Sequence, residues 1–322
     1  MIFQKSITVK TGTLVEQVQP LFRNCIKIFP PLNNKPHTKG LKNIMKQFTL
    51  EILITEKQAG QKKLTPPASL IAYLLDSISV APDRLRPAVI ICPGGGYGFL
   101  SDREGEPVAA QYLSMGCHVF ILRYSTAPDC FPYPQMELAS AISHIRSHAL
   151  EWQIDPGKII VAGFSAGGHL ACSLGAFWNR EFLYGPLNLD PKSIRPDGMI
   201  LSYPVITSGP GCHAGSFQNL LGEKAGDESL RHLVSLEHQV GAHTPKTFLW
   251  HTSTDDSVPA KNSLLLADAL TSHGVSIEMH IYPAGCHGLS LATREVSGED
   301  GRYIEPQCQN WISLAKTWLE HF

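Results

Sequence analysis

Lys158-Ile-Ile-Val-Ala-Gly-Phe-Ser-Ala-Gly-Gly-His169 decides the architecture. A short apolar run, Lys158 to Ala162, has strand length, and the residues from Gly168 to Trp178 have helical spacing. Between them stands Gly163-Phe-Ser-Ala-Gly167, a G-x-S-x-G turn. A serine held at a tight strand-to-helix turn projects its Oγ, and the helix N-terminus behind it favours developing negative charge. The competing reading is an N-capping serine in a glycine-rich turn.

Outward from this stretch the same alternation repeats. Ala88 to Cys92, His118 to Leu122, Gly198 to Ser202, Lys246 to Trp250 and Ser276 to Tyr282 are apolar runs of strand length. Glu106 to Ser114, Gln135 to Trp152 and Ala260 to His273 have helical spacing. Strands alternating with helices predict a mostly parallel sheet buried on both faces. Phe48 to Thr55 and Ala68 to Leu75, separated by Gly60 and Pro66-Pro67, read as an antiparallel pair ahead of it. The stretch from Ser202 to Lys246, roughly 45 residues, is too long for an ordinary crossover and is rich in Gly, Pro and His. Residues 203–245 are therefore a candidate lid within a catalytic domain spanning 46–322. Residues 1–45 carry seven basic side chains against the single acid Glu16 and no sustained period, as expected of a poorly ordered extension.

A serine nucleophile needs a base, and the base an orienting acid. His287 follows the run ending at Tyr282, and Asp255-Asp256 follow the run ending at Trp250. Both positions are loops at the carboxyl ends of predicted parallel strands, where ligands bind such sheets. Val258-Pro259 anchors the chain into the next helix, and counting back from it favours Asp255 over Asp256. The tetrahedral intermediate needs backbone donors, and the expected ones are Ala166 with Gly94, Gly95 and Gly96 after the run Ala88 to Cys92. Ser101 and Glu104 have capping-box spacing, which gives Arg103 and Glu104 a structural role. No G-x-G-x-x-G or G-x-x-x-x-G-K-[ST] is present, so no nucleotide cofactor is expected.

Lys+Arg 27 against Asp+Glu 28 leaves a net charge of -1 over 322 residues, which favours a small-molecule partner over nucleic acid or an anionic membrane. The eight cysteines form no C-x-x-C pair, arguing against structural zinc and for reduced thiols in the cytoplasm. No run has the length of a membrane span.

Taken together, Cys92-Pro-Gly-Gly-Gly-Tyr97, Arg103-Glu-Gly-Glu-Pro107, Gly163 to Leu170, Tyr203-Pro-Val205, Trp250-His-Thr252, Asp255 with Val258-Pro259, and His287-Gly-Leu289 resemble the bacterial acetyl xylan esterase-like and feruloyl-esterase-like α/β-hydrolases. The resemblance covers about Phe48 to the C-terminus. It implies an α/β-hydrolase fold with an eight-stranded, mostly parallel sheet, and a triad of Ser165, Asp255 and His287. It also implies an oxyanion hole from the Gly94–Gly96 loop and Ala166, no metal, and short acyl esters, some on carbohydrates, as substrates. A serine peptidase of the same fold and a non-catalytic binding protein on this scaffold are the alternatives.

Overall fold

The computed structural model describes residues 45–322. The expected basic extension lies outside the described residues except for Met45, which opens the first strand.

The strands are β1 Met45–Ile52, β2 Ala68–Leu75, β3 Arg86–Cys92, β4 His118–Arg123, β5 Ile154–Phe164, β6 Gly198–Ser202, β7 Lys246–Thr252 and β8 Ile277–Tyr282. They form one eight-stranded sheet in the order β1-β2-β4-β3-β5-β6-β7-β8. β1 pairs antiparallel with β2, and β2 with β4. All other neighbours are parallel.

Continuous apolar strands need cover on both faces, and the sheet has it. From β3, Ala88, Ile90 and Cys92 join one core with the helices Tyr133–Ser147, Ala166–Phe177 and Lys261–Ser272. Val89 and Ile91 point the other way, to a second core under the helices Glu106–Ser114 and Trp311–Glu320. The expected helix Gln135 to Trp152 instead starts at Tyr133 and stops at Ser147. His148 leaves helical geometry, and its ring stacks on Trp152 at 4.8 Å.

Residues 203–245 contain the helices Ala214–Leu221 and Glu228–Leu233. Phe217, Leu220, Leu221, Val234 and Leu236 are buried in the first core. No helix among the described residues is long and apolar enough to cross a membrane.

Candidate active site

Ser165 sits between β5 and the helix Ala166–Phe177 with φ 52 and ψ -118, a conformation side chains rarely adopt. The turn is held on both sides. Ser165 N–H donates to Ser202 O at 3.0 Å, and Val205 N–H donates to Ser165 O at 3.1 Å. Two residues on, a Cβ at Gly167 would stand 2.0 Å from Cys92 O, so only glycine lets the helix start this close to β3.

Ser165 Oγ lies 2.8 Å from His287 Nε2, and His287 Nδ1 lies 2.7 Å from Asp255 Oδ2. A carboxylate only accepts, so Nδ1 carries the proton and Nε2 receives the serine O–H. Asp255 Oδ1 accepts the N–H groups of Ser257 (3.0 Å) and Val258 (2.8 Å). Beside it the buried His251 donates from Nε2 to Val258 O at 2.8 Å and stands 3.2 Å from Asp255 Oδ2. Burial pushes the Asp255 carboxyl upward. Hydrogen bonds from His251 and His287, the charge on His287 and the Val258 N–H outweigh it and hold the group well below the usual carboxylate range. Asp256 is 55% exposed, accepts the backbone N–H of His287 at 3.4 Å and faces Arg302 at 3.8 Å. Of the two aspartates, Asp255 alone reaches the imidazole.

The expected set of oxyanion donors needs one correction. Gly94 N–H donates to Glu104 Oε2 at 2.7 Å and is withdrawn from the site. The N–H groups of Gly95, Gly96 and Ala166 have no hydrogen-bond partner among the described residues. Ala166 opens its helix, where N–H groups are unpaired by construction of the helix. Gly95 has φ 125, open to glycine and strained for other residues. Around these donors the carbonyls of the loop are pinned. Tyr124 Oη donates to Pro93 O at 2.6 Å, Asn219 Nδ2 to Gly96 O at 2.9 Å and Ala127 N–H to Tyr97 O at 2.7 Å. His169 donates from Nε2 to Val234 O at 2.8 Å, so its Nδ1 accepts the Tyr97 hydroxyl at 2.8 Å. Burial holds the His169 imidazole down at about 4, which keeps it neutral in this role.

The expected capping box is not formed either: Ser101 makes no side-chain cap bond, and the Glu104 side chain points inward. Its carboxylate is buried and accepts from Gly94 on one oxygen and from the Tyr203 hydroxyl (2.7 Å) on the other. Burial raises its pKa, against the pull of those two hydrogen bonds and of the charges on Arg103 and His287. Tyr203 Oη in turn accepts Ser290 N–H at 2.8 Å, and its ring meets His287 edge-on at 5.2 Å. Arg103 donates to Gly288 O at 2.8 Å, and Ser290 Oγ donates to Arg103 O at 2.6 Å. Adjacent residues thus tie the glycine loop after β3 to the loop that carries His287. Tyr203, Tyr124, His169, Asn219 and His251 carry no role in the sequence reading; Tyr203-Pro-Val205 and Trp250-His-Thr252 were the signals at hand.

Ser165 and His287 open into a cleft of about 900 Å³, walled by Phe99, Arg103, His213, Asn219, Ser257 and Tyr303. His213 and Asn219 come from the segment expected as a lid. Among the described residues, no group of three or more His, Cys, Asp or Glu side chains is placed to hold a metal ion.

The BD-FAE family model matches residues 79–270, more than half of the chain. The chain belongs to the BD-FAE family. Its fold also matches the acetyl ester-xyloside bifunctional hydrolase of Caldicellulosiruptor lactoaceticus, with 39% identity and a TM-score of 0.68 over 80% of this chain and 89% of that one. It is 37% identical to endo-1,4-beta-xylanase B of Butyrivibrio fibrisolvens over 70% of this chain and 35% of that protein. It is 29% identical to the acetylxylan esterase of Xylanibacter ruminicola over 81% of this chain and 52% of that protein. The chain therefore spans between a third and about half of the length of these two curated relatives. The expectation of an α/β-hydrolase fold with an eight-stranded, mostly parallel sheet is borne out.

Proposed function

We propose that this BD-FAE member is a serine carboxylesterase that hydrolyses short-chain acyl esters, acetyl esters of sugars or oligosaccharides among them, through an acyl-enzyme. The observation that carries this reading is the line Ser165 Oγ, His287 Nε2, His287 Nδ1, Asp255 Oδ2, at 2.8 and 2.7 Å, beside three unpaired backbone N–H groups.

In this mechanism His287 Nε2 takes the serine proton while Oγ attacks the acyl carbon, and the carbonyl oxygen becomes an oxyanion facing Ala166, Gly95 and Gly96. The imidazolium then protonates the leaving alcohol oxygen as the C–O bond breaks. Water, losing a proton to Nε2, attacks the acyl-enzyme, and return of that proton to Oγ frees the carboxylic acid. Asp255 stays ionised throughout and fixes the ring by accepting from Nδ1. Acetylated carbohydrate as substrate draws on the similarity to the acetylxylan esterase and to the acetyl ester-xyloside bifunctional hydrolase. The seven cysteines among the described residues are free, which supports a reducing, cytoplasmic setting.

The test is turnover of 4-nitrophenyl acetate beside a peptide anilide, with labelling by a fluorophosphonate. Ester turnover that vanishes in Ser165→Ala, with label on Ser165 alone, is expected. Turnover of the anilide in preference to the ester, or label on another serine, would replace the reading.

A further inference from the structure

The helix Ala214–Leu221 begins at His213, which lies on the cleft wall. His213 Nδ1 accepts the N–H of Ser216 at 3.2 Å and lies 2.8 Å from Ser216 Oγ. A nitrogen that accepts a backbone N–H carries its lone pair, so in the neutral ring the proton sits on Nε2. Nε2 has no hydrogen-bond partner among the described residues. Burial, and then the like charge of His287, lower the His213 pKa against the pull of Asp255, so the ring is a neutral one-proton donor near pH 7.

Its position is set by two anchors. Phe217, Leu220 and Leu221 bury one side of the helix, and Asn219 Nδ2 donates to Gly96 O at 2.9 Å. The ring consequently stands over the oxyanion turn: a Cβ built on Gly96 would lie 3.7 Å from His213 Cε1. Gly96 has no side chain to come between the imidazole and a bound substrate. In the proposed mechanism the backbone N–H groups of Ala166, Gly95 and Gly96, which have no partner among the described residues, serve the oxyanion, so the His213 N–H is available to another oxygen of the same substrate. An alkyl or aryl ester filling this side of the cleft would strip water from Nε2–H and give it no acceptor, an unfavourable outcome for a desolvated donor. A sugar offers hydroxyl and ring oxygens next to its acetylated position.

We propose that His213 is a specificity-determining residue that donates from Nε2 to a sugar oxygen adjacent to the scissile acetyl ester, selecting acetylated pyranosides over hydroxyl-free esters of the same size. The proposal rests on the esterase reading and narrows its substrate class. It is tested by kcat/KM for a monoacetylated methyl xylopyranoside and for cyclohexyl acetate, whose ring has similar size and no hydroxyls. His213→Asn keeps an oxygen acceptor for Ser216 N–H, and asparagine is a good N-cap, so the helix start is retained. His213→Gln restores a longer donor. The expected result is a preference for the pyranoside in the parent protein, reduced about tenfold in His213→Asn, as for loss of one hydrogen bond, and partly recovered in His213→Gln. An unchanged ratio, equal losses on both substrates, or a loss that follows a fall in thermal midpoint would overturn it. Failure of the parent protein to hydrolyse either ester or to take label on Ser165 would instead count against the esterase reading.

Discussion

The Tyr203 hydroxyl and the Glu104 carboxylate, 99 residues apart in sequence, meet at 2.7 Å in the interior, with the Tyr203 ring against His287. Glu104 has two donors to satisfy and two oxygens to do it with, so it binds the glycine loop after β3 and Tyr203 as one unit. Glu104→Gln leaves an NH2 facing one of these donors. It should lower kcat roughly 10- to 100-fold with KM little changed, the signature of a lost transition-state geometry. Tyr203→Phe should act in the same direction, and the double variant should be little worse than the poorer single one, since coupled residues are not additive. Multiplicative losses in steady-state kinetics would show that the two act separately.

Asp255 and Asp256 differ in what they face. Asp255→Asn should reduce kcat by about 10⁴, because the amide no longer fixes the His287 tautomer. Asp256→Asn loses an exposed contact with Arg302 and should stay within roughly tenfold of the parent. Ranking the two variants by kcat on one acetate ester decides the matter, and the reverse order would transfer the acid to Asp256.

Stability should fall on acidification through a window set by buried histidines. Burial lowers His118 and His169 from 6.5 to about 4. Between those values the unfolded chain binds their protons and the folded chain does not, so stability rises with pH there and is lost as pH drops. The raised carboxyls of Glu104 and Glu137 have the opposite sign: their contribution is present below 4.5 and declines as pH rises. Urea denaturation of His169→Gln between pH 7 and 4.5 should show a shallower pH slope than the parent, whatever its absolute stability. Identical slopes would mean that His169 is protonated alike in both states.

The two glycines that supply the proposed oxyanion donors should respond differently. At Gly96 the φ of 61 costs an alanine about 1 kcal/mol, but its nearest neighbours lie at 3.7 Å, so Gly96→Ala should fold with a slightly lower midpoint. At Gly95 an added Cβ would stand 2.1 Å from Phe99 O, so the turn must open. Gly95→Ala should therefore lose at least tenfold more activity than Gly96→Ala. Comparable activity in the two would show that this turn does not shape the donors.

Much of the fold was legible because burial on both faces writes strands as unbroken apolar runs, and Ala88 to Cys92 or Gly198 to Ser202 are hard to mistake. Ser165, Asp255 and His287 were legible as candidates because each follows such a run. Glu104 was not. Its spacing from Ser101 fits a local cap equally well, and only the tertiary approach of Gly94 and Tyr203 turns the carboxylate inward. Asn219 and His169 were hidden for the same reason, since their partners, Gly96 and Val234, are 123 and 65 residues away. The helix Trp311–Glu320, which covers the second core, follows loops that break the strand-helix alternation and so gave that pattern nothing to extend.

The bond between Gly94 and Glu104 closes a ring across a sequence separation of ten, and the histidine loop is moored to the same place through Arg103. An inserted or deleted residue between positions 94 and 104 would therefore displace both halves of the site together. Natural variation in loop length, and any engineering of this cleft by grafting, has to be accommodated elsewhere on its rim.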